Sequence, residues 1–237
     1  MLKRIFFAAF AIALAAPAAA DSFLPPAVTE NYSPSNTAVV TVVPAWLSCA
    51  KGETDCEPAA RAIVSYVYGD TRSGARTVKL VNRDAPGQAL VSDDGQRLLT
   101  VNEYAAFGFG ENTLVIYDET GGIIARHSLV DFLPEDYVNG LPRTASTIRW
   151  WADDVRIERE SHRAIIAVLL VDEEVYGAPF SDRKGFELAV DLDTGEVERP
   201  SGPHWEKALN CARANAWVVQ DEKAERERER YRALCRK

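Results

Sequence analysis

The side chains that could carry chemistry in this chain are three histidines, four cysteines and several close carboxylates. His127, His162 and His204 lie far apart, and Gly-x-Ser-x-Gly, the elbow that presents a serine to a histidine, is absent. Each histidine therefore reads as an ordinary sheet or cap residue. Asp191-Leu192-Asp193-Thr194-Gly195-Glu196 sets oxygens at alternating positions, like half of a calcium loop. A complete calcium site needs roughly 6–8 oxygens, and a hairpin turn explains the same Asp, Thr and Gly without an ion. Asp93-Asp94, Asp153-Asp154 and Glu173-Glu174 read as exposed turns. Gly108-Phe109-Gly110 lacks the third glycine of a dinucleotide loop and lies between strands, so it reads as a loop or bulge. No metal, cofactor or catalytic residue is expected.

Cys49, Cys56, Cys211 and Cys235 form an even set without the Cys-x-x-Cys or Cys/His spacing of a zinc site. In an oxidising compartment such a set reads as two disulfides. Cys49 and Cys56 bracket a polar, Gly-containing loop that can close on itself. One straight helix between Cys211 and Cys235 would hold their sulfurs about 36 Å apart at 1.5 Å per residue. Bridging those two requires the helix to break; the alternative is cross-pairing with the N-terminal loop.

The candidate binding residues are aromatic. Tyr104, Phe107 and Phe109 cluster in a Gly-containing segment, and Trp150-Trp151 opens a later strand. Adjacent strand residues point to opposite faces, so one tryptophan should enter the core and the other remain partly exposed. Such a platform can stack on a sugar or grip a peptide, although core packing makes the same demand for aromatics.

The N-terminus places these residues in a compartment. Lys3 and Arg4 precede an apolar run from Ile5 to Leu14, and Ala18-Ala19-Ala20 ends it before Asp21. That is the pattern of a cleaved secretory signal peptide over residues 1–20, pointing to the periplasm or beyond. The net charge of −8 at pH 7 becomes more acidic once Lys3 and Arg4 leave. An acidic chain lacks the basic footprint that nucleic acid requires, and no membrane span is expected in the mature protein.

Residues 21–36, with Pro25-Pro26 and Pro34, read as an extended arm, 37–203 as a β domain and 204–237 as a helical segment. Thr37 to Val43 reads as a strand, and Pro58 to Tyr68 mixes helix and strand signals. Short strands follow at 77–81, 89–91, 97–102, 113–117 and 123–127, separated by Asp84-Ala85-Pro86-Gly87, Asp93-Asp94-Gly95 and Glu119-Thr120-Gly121-Gly122. A second meander is expected at 155–158, 164–170, 187–191 and 196–199, and Asp118 and Asp191 stand in like places 73 residues apart. Ser128 and Asp131 suit a capping box, and Pro134 and Gly140 bracket a second short helix. From Trp205 onward the chain has no Gly or Pro, and Glu222 to Arg232 is a dense run of alternating charge.

Val91-Ser92-Asp93-Asp94-Gly95-Gln96-Arg97-Leu98-Leu99-Thr100-Val101, with Leu114-Val115-Ile116-Tyr117-Asp118 and Gly121, resembles one blade of a β-propeller, as found in uncharacterised secreted bacterial proteins. The resemblance covers about residues 76–128 and, more loosely, 150–199. A closed ring takes typically four to eight blades, and about two are legible here. The resemblance thus implies a sheet type, not a ring and not a function. The expectation is a mainly β exported protein with antiparallel meanders, short inserted helices and a charged C-terminal helix. It would bind an envelope protein or glycan without catalysis. A carboxylate-dependent hydrolase of envelope polymers and a calcium-stabilised module are the alternatives.

Overall fold

The computed structural model describes residues 23–49, 58–173, 175, 184–216 and 222–236. The first sheet is an antiparallel meander of β1 (Thr29–Tyr32), β2 (Ala38–Val43), β3 (Arg61–Tyr68) and β4 (Thr71–Lys79), in that order. β1 forms within the segment read as an arm. The mixed signals of Pro58 to Tyr68 resolve to a strand, because Ala60, Ala62 and Val64 alternate into the core. Arg72 reaches back to Glu30 through two hydrogen bonds, of 2.6 and 3.0 Å. That bond to Arg72, helped by Thr41, lowers the Glu30 carboxyl to about 2.

The two meanders expected from the sequence follow with two corrections: residues 77–79 end β4 of the first sheet rather than opening the next one, and 196–199 form no strand, only an isolated bridge of Val197 to Val190. The second sheet is β5 (Pro86–Val91), β6 (Leu98–Glu103), β7 (Leu114–Tyr117) and β8 (Ile123–His127). The third is β9 (Trp151–Ile157), β10 (Arg163–Leu169) and β11 (Gly185–Asp191), with β10 in the middle. Between them, α1 (Leu129–Phe132) starts at the Ser128/Asp131 capping box, and α2 (Glu135–Asn139) runs from Pro134 to Gly140.

The second sheet is central. Leu98, Val115 and Tyr117 face the first sheet, in a core with Val40, Val64 and Val78. Leu99, Val101, Leu114 and Ile116 face the other way, in a larger core with Ile166, Val168, Leu188 and Val190 of the third sheet. A strand apolar on both faces reads as a continuous hydrophobic run, which is why Leu-Val-Ile-Tyr forms β7.

α3 (Pro203–Asn215) closes the larger core with Trp205, Leu209, Cys211 and Ala212. It lies so close to α2 that a Cβ on Gly140 would fall 2.3 Å from the Ala212 carbonyl oxygen. α4 (Glu222–Cys235) packs back on α3. The helix break that a Cys211–Cys235 bridge demands is therefore present, and the two cysteines are bonded with their Cα atoms 4.7 Å apart. Cys49 is also in a disulfide. Cys56, its expected partner, lies outside the described residues, as do Trp217, Val218 and Val219. No helix among the described residues is long and apolar enough to cross a membrane.

Candidate functional site

The aromatic segment between β6 and β7 is organised by one buried asparagine. Asn102 is 1% exposed and has a φ of 62°, a left-handed conformation that Asn tolerates better than most residues. Its Oδ1 accepts hydrogen bonds from the Gly108 amide at 2.9 Å and the Trp150 indole at 2.7 Å. Gly108 has a φ of 74°, and a Cβ there would lie 2.9 Å from the Ile148 carbonyl oxygen and 3.0 Å from the Trp150 ring. Only glycine fits, so the chain turns at Gly108 and holds Phe107 against the third sheet.

The rings then touch in series. Phe107 meets Trp151 edge-on at 5.6 Å, and Trp151 meets Trp150 at 5.6 Å. Trp150 meets Phe132 of α1 at 5.5 Å. The exposed Phe23 ring lies 6.0 Å from Tyr104 and 6.4 Å from Phe107. Arg149 covers Trp151, its guanidinium carbon 5.3 Å from the ring centre. The series runs from surface to core: Trp150 is fully buried, whereas Tyr104, Phe107 and Trp151 are half-buried. Of the five aromatics named from the sequence, Tyr104, Phe107, Phe109 and Trp151 are half-buried, with Phe109 and Trp151 both packed against the larger core, and Trp150 lies within that core.

A second cluster gathers the hairpin turns. His162, in the β9–β10 turn, is bonded through Nε2 to Asp94 Oδ2 and through Nδ1 to Asp193 Oδ1, both at 2.8 Å. A carboxylate only accepts, so the two bonds form together only when both ring nitrogens carry a proton, and the pair of aspartates favours the cationic imidazole. Burial lowers the His162 pKa, but the bonds and charges of Asp94 and Asp193 outweigh it and the net shift is upward. Arg97 adds its Nε to Asp193 at 2.8 Å and its Nη1 to Glu119 at 3.1 Å. Asp93 accepts from the Ser35 amide at 2.6 Å and the Glu160 amide at 2.9 Å. Burial raises the Asp93 pKa, and these donors carry the net shift downward. Turns from all three sheets thus meet here, with clefts of about 560 and 490 Å³ on either side of His162.

The chemistry of this cluster is that of a clamp. Neither nitrogen of His162 is left to take a proton from a hydroxyl, and Ser92 Oγ donates to Asp94 instead, at 2.6 Å. In the loop that resembles half a calcium site, Asp191 Oδ1 accepts from the Asp193 and Thr194 amides, both at 2.8 Å. Asp118 Oδ1 accepts from the Thr120 and Gly122 amides in the matching turn of the second sheet, also at 2.8 Å. His127 Nε2 donates to Gly195 O at 2.8 Å, and His204 lies in the first turn of α3.

No protein-family model matches the chain, and none of the curated proteins matches it significantly. Sequence reading missed Asn102 and the union of His162 with Asp94 and Asp193. The trace of Asn102 was an asparagine at a strand end ahead of a Gly-containing loop, the place for a left-handed residue. The His162 cluster left none, because its members are joined by sheet stacking rather than by spacing along the chain.

Proposed function

We propose that this chain is an exported, non-enzymatic envelope protein that binds a protein or glycan partner. Its contact surface is the half-buried aromatic face of Tyr104, Phe107 and Trp151. The observation that carries the reading is the supported ring series, in which a fully buried Trp150 fixed by Asn102 holds Trp151 in place beneath Arg149. Rigid aromatics contribute large contact area at low entropic cost, and an arginine beside them suits both sugar hydroxyls and peptide carbonyls. The signal-like residues 1–20 and the Cys211–Cys235 disulfide support an oxidising compartment. The blade-like hairpins supply a scaffold type rather than a chemistry.

The test is retention of the purified protein on an envelope fraction of the producing cell. Trp151→Ala should weaken retention by about thirtyfold, the effect of a hot-spot aromatic of about 2 kcal/mol. Pretreating the fraction with protease or with glycan-cleaving enzymes separates a protein partner from a glycan. Retention unchanged by Trp151→Ala contradicts the reading.

A further inference from the structure

The N-terminal segment crosses this face in a way that points to a class of ligand. Phe23 to Val28 carries no regular secondary structure, and Pro25 and Pro26 fix its backbone. Proline also drives the residue before it into the extended region, so Leu24 and Pro25 are both held extended. Two aromatic donors hold the segment: Tyr104 Oη donates to the Leu24 carbonyl, and Trp46 Nε1 donates to the Pro26 carbonyl at 2.9 Å. The Phe23 ring packs on Tyr104 and Phe107, while Leu24 is 82% exposed and Trp46 58% exposed.

These are the elements by which proteins grip proline-rich segments. A polyproline-type backbone has no internal hydrogen bonds, so its carbonyls are free to accept from the phenol and indole groups of an aromatic groove. The two accepting carbonyls here are two residues apart on a Leu-Pro-Pro stretch.

We infer that the Trp46 and Tyr104 donors, with the Phe107 ring, recognise an extended, proline-containing segment of a partner protein, and that the chain's own Phe23–Pro26 occupies them as a displaceable strap. This rests on the partner-binding reading above and narrows the partner to a protein with a hydrophobic residue ahead of consecutive prolines. The strap is a competitor: the apparent affinity for the partner is scaled down to the fraction of time the strap is off.

The test uses the chain beginning at Asp21 and a labelled synthetic peptide of residues 22–28, followed by fluorescence anisotropy. Phe23→Ala/Pro25→Ala/Pro26→Ala loosens the strap and should bind the peptide at least about tenfold more tightly than the native chain. Adding Tyr104→Phe, which removes one donor, should cost about three- to tenfold of that gain. A peptide with both prolines replaced by alanine should bind about fivefold more weakly, having lost its preset backbone. No binding to the loosened chain, equal binding of the two peptides, or exchange of straps into a dimer overturns the inference. In the otherwise native chain, Tyr104→Phe should speed aminopeptidase removal of residues 21–23 about three- to tenfold, and an unchanged rate counts against the strap. If the peptide fails to bind while envelope retention still depends on Trp151, the proline ligand falls and the aromatic binding face stands.

Discussion

Replacing Asn102 by alanine should cost about 3–5 kcal/mol in urea denaturation, because two buried donors, the Gly108 amide and the Trp150 indole, lose their acceptor. Asn102→Gly removes the strain of the positive φ but restores neither bond, so it should recover only about 1 kcal/mol. Equal stability of the two variants and the native chain would deny Asn102 its place in the loop. Trp150→Ala should likewise cost about 3–5 kcal/mol, against roughly 1–2 kcal/mol for the half-buried Trp151→Ala. That one of these neighbours is buried and the other half-buried matches the sequence expectation, although Trp150 precedes β9 and both rings pack on the larger core; Asn102 was not legible, since its value depends on what packs above it. His162 gives a pH prediction. Its pKa is raised in the folded state, so its contribution is complete below about pH 6.5 and is lost as pH rises through the folded value. Asp93 and Asp94 are lowered despite burial, so theirs is complete above about pH 4 and is lost as pH falls through the folded values. With Asp193, Arg97 and Glu119 in the same network, the melting temperature should be highest between about pH 4 and 6.5. His162→Gln should flatten the fall on the alkaline side; an unchanged profile would show that the clamp is unimportant to stability.

Among the elements, the C-terminal hairpin depends on its disulfide. Of the described side chains of α4, Cys235 alone is buried in the larger core; half-buried Arg228 donates to the Ala214 and Ala216 carbonyls at 3.3 and 2.9 Å, and the ion pairs are partly exposed ones such as Arg228 with Glu225 at 3.3 Å. Pairs of that kind contribute about 0.3–0.5 kcal/mol each on a helix. The Cys211–Cys235 bond closes a loop with a sequence separation of 24, worth about 3 kcal/mol by loop entropy. Cys211→Ser/Cys235→Ser should therefore release α4 while α3 and the sheets stay folded. Hydrogen exchange would show amides of 222–236 losing protection while those of β6 and β7 keep theirs. Persistent protection of α4 in that variant would mean that packing, not the bond, holds it. Strands flanked by Asp-Gly and Gly-Gly turns were legible, as were both short inserted helices, because local turn and cap chemistry defines them. The pairing of β1 with β2 was hidden by Pro25, Pro26 and Pro34, which made the whole stretch read as an arm.

At the scale of the molecule, three antiparallel sheets stack with the second buried on both faces, and this stacking makes the functional geometry. It joins the turns of residues 35, 93, 94, 160, 162 and 193 into one charged clamp, and it presses the 103–109 segment against Trp151. The meanders could be read from alternation, and their number and order of stacking could not, since nothing local encodes which face meets which. The account stands on the aromatic face as the place of contact, and the most direct measurement compares two exposed or half-exposed aromatics on the same scaffold. Titrating the envelope fraction with Trp151→Ala and with Tyr68→Ala, whose ring is 65% exposed on β3, gives a dissociation constant for each. The account predicts about thirtyfold weaker binding for Trp151→Ala, the equivalent of about 2 kcal/mol, and native binding for Tyr68→Ala, with both proteins folded. Equal binding by the two variants, or a loss confined to Tyr68→Ala, would contradict it.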